Sequence, residues 1–163
     1  MEKRREQILQ VLRQNARLSA EQIAERLDLD VTFVEQVIAE SEASQIIRGY
    51  YALIHDKGFK QPQVRALIEV HVQPERDVGF DRIARNISRF DEVSDVILVS
   101  GGYDLLLTVT GESLQDVADF VASKLATMQG VQSTRTMFML RKYKEAGFKL
   151  EEDDVHERLQ VTP

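Results

Sequence analysis

The sequence predicts an α+β chain: three short helices first, then strands and helices in the order β-α-β-β-α-β. Three observations predict it. Apolar residues recur at helical spacing through residues 5–43, broken twice by polar turn residues. From Val64 onward, alternating and wholly apolar runs of strand length are interleaved with two further helical stripes. Between the two patterns lies a polar stretch that holds Gly58 and Pro62.

Residues 5–14 predict the first helix, with Ile8, Leu9, Val11 and Leu12 as its apolar stripe and Asn15-Ala16-Arg17 ending it. Ser19 is a good N-cap, and Gln22 three residues on completes a capping box for a second helix that ends near Leu27. Ile23, Ala24 and Leu27 form its inward face. After the turn Asp28-Leu29-Asp30, a third helix over residues 31–43 turns Val34, Val37 and Ile38 inward. Thr32 and Glu35 offer it a second capping box. Residues 46–54, I-I-R-G-Y-Y-A-L-I, are β-rich and predict a wing or linker strand. Three short helices, the last two joined by a tight turn, make the helix-turn-helix pattern, although a plain three-helix bundle has the same apolar spacing.

Residues 55–63 read as a linker. Beyond it, Ile68, Val70 and Val72 share one face of a strand over residues 64–73. A helix over 80–90 points Phe80, Ile83, Ala84 and Ile87 inward. Two strands follow, 93–100 and 103–110, broken by Ser100-Gly101-Gly102; both are apolar enough to predict the centre of a sheet. The adjacent glycines allow positive φ and close backbone approach. Ser113 caps a helix to Met128 that buries Leu114, Val117, Ala118, Val121 and Leu125, and Gly130 stops it. A last strand over 131–143 places Thr134, Thr136, Phe138 and Leu140 on one face and Arg135, Met137 and Met139 on the other. This order is the ferredoxin-like plan, with both helices on one sheet face. The apolar residues of the other face need a cover, and a second subunit is the economical one.

Composition excludes several classes. No apolar run approaches the ~20 residues of a membrane span, and the N-terminus has no signal-peptide core, so a cytoplasmic protein without a membrane partner is expected. With no cysteine there is no disulfide framework, thiolate zinc site or cysteine nucleophile. His55, His71 and His156 lack metal-ligand spacing, and no G-x-G-x-x-G, P-loop or G-x-S-x-G is present. Neither an enzyme nor a metal or cofactor is expected. The formal net charge is −6; residues 1–60 hold 9 basic and 10 acidic groups and residues 61–163 hold 12 and 17, so the acidity sits beyond the linker.

The run L-S-A-E-Q-I-A-E-R-L-D-L-D followed by I-I-R-G-Y-Y-A-L-I resembles the DNA-binding half of the Lrp/AsnC family of feast/famine regulators. In that family an I-x-G-Y-x-A strand closes the helix-turn-helix, matched here by Ile47, Arg48, Gly49, Tyr50, Tyr51 and Ala52. The second half resembles the family's effector-binding module. Its S-G-x-x-D turn is matched by Ser100, Gly101, Gly102, Tyr103 and Asp104, and its G-V-x-x-T-x-T strand start by Gly130, Val131, Thr134 and Thr136. The resemblance implies a regulator whose dimers assemble into a higher oligomer, with a small amino acid bound between dimers near the glycine turn. Backbone N–H groups around Gly101, Gly102 and Tyr103 would then hold the effector carboxylate, and Asp104 its ammonium, with hydroxyl contacts from Thr134 or Thr136. Threonine is also simply favoured in strands, and Asp104 also reads as a cap of its own turn.

The third helix departs from the family's pattern. No basic residue lies between Leu27 and Ile47, and that interval holds five acids: Asp28, Asp30, Glu35, Glu40 and Glu42. Because duplex affinity comes mostly from phosphate neutralisation, contacts must come from Lys3, Arg4, Arg5, Arg13, Arg17 or Arg48. Thr32 and Gln36 have the chemistry to touch base edges. The expected function is therefore an Lrp/AsnC-type transcriptional regulator that binds double-stranded promoter DNA through residues 1–54 and senses an amino acid through residues 64–144. The alternative is an amino-acid-sensing and assembly module whose acidic third helix no longer binds DNA. Residues 145–163 form an extension in which Glu151-Glu152-Asp153-Asp154 reads equally as a hairpin turn or as solvated chain.

Overall fold

The structure, a computed structural model, describes residues 1–55, 58–61, 63–73 and 79–150. The chain divides into two compact units, Met1–Leu53 and Ile54–Pro163. Among the described residues no helix is long and apolar enough to cross a membrane.

The first unit holds helices α1 (Glu2–Gln14), α2 (Ala20–Leu27) and α3 (Val31–Ala43). Their stripes meet in one core of Ile8, Val11, Leu12, Ile23, Ala24, Val34 and Val37, with Leu27 and Ile38 packed at its margin. The capping box at Ser19 forms as expected: Ser19 Oγ accepts from the Gln22 backbone and Gln22 Oε1 from the Ser19 backbone. Asp28 ends α2 at φ 52, and this left-handed residue turns the chain sharply enough to start α3 three residues later. The second expected box does not form. Asp30 is the N-cap of α3, its Oδ1 accepting from Phe33 N at 3.3 Å, so Thr32 already lies inside the first turn. A carboxylate there satisfies an orphan N–H and also complements the positive end of the helix, which a threonine hydroxyl does not.

The predicted wing is not a paired strand. The Ile46 and Ile47 N–H groups both donate to Ser41 O, and residues 48–55 follow without a ladder partner among the described residues. Tyr51 is 74% exposed and Ile46, Tyr50 and Ile54 each at least half exposed. β propensity supplies a strand's shape but no neighbour to bond it.

The second unit carries β1 (Val64–Val72), α4 (Asp81–Ile87), β2 (Val93–Leu98), β3 (Leu105–Gly111), α5 (Leu114–Phe120) and β4 (Val131–Phe138), followed by a small hairpin of β5 (Lys144–Glu145) and β6 (Phe148–Lys149). The four long strands form one antiparallel sheet in the order β2-β3-β1-β4. Alternation along β1 and β3 sends Ala66, Ile68, Val70, Val72, Leu105, Leu107 and Val109 to one face, where Ile83, Ile87, Val117, Phe120 and Leu125 cover them. Only β3 of the two apolar strands is central. β2 is an edge with Ile97 and Leu98 about half exposed, so its apolar run marks an uncovered surface rather than a sheet centre.

Helix α5 departs from a regular 3.6-residue stripe. It continues through a wide turn over Val121–Leu125, which brings Phe120 and Leu125, five residues apart, onto the buried face. Phe120 meets Phe90 edge-on with ring centroids 5.5 Å apart. Leu114 and Ala118, expected inside, are exposed. The chain then stops at Gly130, φ +92, where an added Cβ would lie 2.5 Å from Ile83 Cδ1. Beyond β4 the chain runs past the first strand, Met139 N donating to Arg65 O at 2.8 Å. The β5–β6 hairpin turns on Ala146 and Gly147, both at positive φ, the pairing a two-residue turn requires. The acidic run at residues 151–154 lies outside the described residues.

Candidate functional site

Two surfaces carry the sequence-predicted residues, one on each unit. On the first, Thr32 and Gln36 stand one helical turn apart on the exposed face of α3. Gln36 Nε2 donates to Glu40 Oε1 at 2.8 Å, so a base contact by Gln36 has to exchange this bond, at a net cost of about 0.5–1.5 kcal/mol. Lys3, Arg4 and Arg48 are exposed, the first two on the opening turn of α1. Arg5 is placed differently. Its guanidinium reaches across to α3, donating to Ser41 Oγ at 3.3 Å and standing 3.7 Å from Glu40 Oε2. It braces α1 against α3 rather than facing outward.

The acids of the third-helix region have largely local duties. Asp28 ends α2, Asp30 caps α3, and Glu40 meets Arg5 and Gln36. Glu42 accepts from the Tyr50 hydroxyl at 2.9 Å. Desolvation raises the Tyr50 pKa above its ordinary value, and the Glu42 carboxylate adds to the shift by accepting the proton and by its charge. Glu35 stands on the exposed face of α3 beside Thr32 and Gln36.

Ser41 is the residue that sequence reasoning missed. It is fully buried, donates to Val37 O at 2.6 Å, accepts from Arg5, and its carbonyl receives Ile46 and Ile47. A serine in line with Val34 and Val37 on the inward face of a helix, with arginine on the first helix, was the available signal.

On the second unit, Gly101, Gly102, Tyr103 and Asp104 lie in the connection from β2 to β3, closed by Val99 N donating to Asp104 O at 3.0 Å. The expected left-handed turn is absent: neither glycine has positive φ. A Cβ on either would meet nothing within 4 Å, and both are exposed. Packing and backbone strain inside this chain therefore demand glycine at neither position. Asp104 is anchored in the sheet. Its N–H donates to Val70 O at 3.1 Å, and its Oδ2 accepts from Val72 N at 2.9 Å, where the β1–β4 register slips between His71 and Val72. The carboxylate thus satisfies a β1 N–H just beyond the last β1–β3 pair, Val70 with Leu105.

Thr134 and Thr136 pair with Val70 and Ile68 from the far side of β1 and so share the helix-facing side of β4. With adjacent strands 4.7–4.9 Å apart, Thr134 lies on the order of 10 Å from the Asp104 backbone across β1. One chain therefore brings the glycine turn and Asp104 together and leaves both threonines apart from them.

Both units are similar to known proteins. Residues 1–36 match the winged helix-turn-helix DNA-binding model, and residues 65–147 match the Lrp/AsnC ligand binding domain. An uncharacterized HTH-type transcriptional regulator of Bacillus subtilis, YugG, is 41% identical over 158 residues, covering 96% of this chain and 95% of that protein. The leucine-responsive regulatory protein of Rhizobium meliloti is 28% identical over 139 residues, 85% of this chain and 88% of that protein. The crystal structure of the Neisseria meningitidis transcriptional regulator NMB0573 in complex with L-Met is similar at TM-score 0.69 and 26% identity, covering 89% of this chain and 93% of that one. With one model spanning residues 65–147 and a relative 41% identical over 96% of its length, the chain belongs to the Lrp/AsnC family of helix-turn-helix transcriptional regulators.

Proposed function

We propose that this regulator works in the cytoplasm, binding promoter DNA through several copies of its first unit and responding to a small amino acid held at the Gly101–Gly102 turn. The observation that carries the effector reading is the glycine pair. Two adjacent glycines with open space above them and no left-handed φ leave bare backbone N–H groups approachable from outside the chain. The Neisseria relative binds an amino acid, and a carboxylate is what such N–H groups receive best. Because Thr134 and Thr136 stand away from the turn, a ligand touching both sets is bound between copies.

The oligomer has its own support. The sheet face away from the helices carries Leu67, Ile97, Leu106 and Met137, with a Glu69–Arg135 ion pair between strands, and the helices α4 and α5 of the second unit cover the opposite face. Residues 48–54 offer backbone without a ladder partner among the described residues for a second copy of the same segment. A many-headed assembly gains avidity that offsets one weak head.

For DNA, Lys3, Arg4 and Arg48 supply phosphate contacts while Thr32 and Gln36 reach the bases. The second reading, a sensing module that ignores DNA, is favoured by Glu35 and the absence of any cation on α3. Salt separates the two. Affinity for DNA should fall steeply with salt, and Lys3→Ala with Arg4→Ala should lower the log–log slope by about 1 per cation per head bound. A slope equal to wild type in a folded double variant would remove these residues from the interface.

A further inference from the structure

We infer that Arg5 is a positioning residue for base reading: acting through Glu40, it sets how readily Gln36 is released to a base edge. This role rests on the proposed reading, in which α3 meets DNA through Thr32 and Gln36. Glu40 continues their row on the exposed face, one turn beyond Gln36. It also stands in the last turn of α3, where the negative end of the helix disfavours a carboxylate. No residue of α3 is basic, so a compensating cation has to come from another helix. Arg5 supplies it from α1.

The three side chains touch in sequence. Gln36 Nε2 donates to Glu40 Oε1 at 2.8 Å, while the other oxygen, Oε2, faces Arg5 Nη1 at 3.7 Å. Arg5 Nη2 donates to Ser41 Oγ at 3.3 Å. Ser41 is fully buried and gives its own proton to Val37 O at 2.6 Å, so toward Arg5 its oxygen can only accept. The guanidinium is thus anchored through one nitrogen. Its other terminal nitrogen waits beside Glu40, just beyond hydrogen-bond reach.

That spacing matters when Gln36 turns to a base. The exchange takes the amide away from Glu40 and leaves Oε1 without its donor. Arg5 needs to close only about 0.8 Å, from 3.7 Å to an ordinary N–H···O distance, to take the carboxylate over. With both partners charged, the bond so formed offsets the one given up. Without Arg5, release of Gln36 strands a carboxylate on a surface turned toward phosphates, and Glu40 keeps its hold. A simple brace between α1 and α3 acts on every DNA sequence alike. A positioning residue acts on the one base pair that Gln36 reads.

The test is fluorescence anisotropy of the full chain on the fragment upstream of its own gene and on single base-pair substitutions of it, read as ratios of Kd. Gln36→Ala first marks the base pair whose ratio collapses. Arg5→Gln should lower the ratio at that base pair, and at no other, by about fivefold, the worth of one ordinary hydrogen bond. Arg5→Lys, which keeps the charge but not the fork, should show a smaller loss at the same place. In the Glu40→Ala background nothing competes for Gln36, so the Arg5 substitutions should leave the ratio unchanged. Circular dichroism and Tm report which Arg5 variant folds as wild type. In that variant, equal loss on every sequence, no change at the marked base pair, or the same loss with and without Glu40 overturns the role of Arg5. If Gln36→Ala collapses no ratio, base reading by Gln36 itself fails, and the role of Arg5 falls with it.

Discussion

Gly130→Ala should destabilise the second unit by roughly 2–4 kcal/mol, the sum of left-handed backbone strain and core overpacking. Gly130 sits at φ +92 and its carbonyl accepts from Gln73 N at 2.8 Å, so the chain cannot relax its way out of that conformation without breaking the start of β4. The new methyl would lie 2.5 Å from Ile83 Cδ1 and 3.3 Å from Cγ1. A methyl tip can turn aside on a surface, but Ile83 is 1% exposed and packed on Ile87 and the sheet. Urea unfolding followed by circular dichroism measures the loss. The same substitution at Gly101 or Gly102 meets open space and no positive φ, and should stay within about 0.5 kcal/mol of wild type. Equal losses at all three positions would contradict the distinction between a glycine the fold needs and a pair it does not.

The other large effect concerns assembly. Leu106→Arg should convert the proposed oligomer to monomers at micromolar concentration. Leu106 lies on the uncovered sheet face, paired with Ile97 on one side and Glu69 on the other. In a monomer the new guanidinium finds water and the Glu69 carboxylate, so the fold should survive. In an interface it becomes a desolvated charge that must share the Glu69 carboxylate with Arg135, costing several kcal/mol, and 1.4 kcal/mol is already a factor of ten in affinity. Light scattering coupled to size exclusion reads the mass. An unchanged oligomer would show that this face is not where copies meet.

The sequence was legible wherever local chemistry decides. The Ser19-Gln22 box and the left-handed Asp28 are contained within a few residues, so α2 and the turn after it could be read directly. The alternation of β1 follows from a period of two that no tertiary contact needs to supply, whereas the apolar run at the start of β3 hid which of its faces is buried. Illegible features depend on partners remote in sequence. Apolar residues in β2 read as a sheet centre, but pattern alone does not distinguish cover by a helix from cover by another chain. The wing failed as a strand for the same reason.

At the sites the split is similar. Asp104 was visible as a carboxylate beside a turn, yet its partner, Val72 N, lies on another strand 32 residues upstream. Arg5 looked like a surface cation because its partners Ser41 and Glu40 are a helix away from it. The acidity of the third helix was legible as a count, and its meaning changes once Asp30, Glu40 and Glu42 are seen capping and bridging.

The central claim is that amino-acid binding in the second unit alters promoter binding by the first. Fluorescence anisotropy of the full chain on a labelled fragment from upstream of its own gene tests it directly, against a scrambled fragment and across a panel of amino acids. The expected result is preference for the upstream fragment, steep weakening with salt, and a shift caused by at least one small amino acid that Gly102→Val abolishes without changing Tm. No preference at low salt, or an amino-acid shift that persists in Gly102→Val, would contradict it.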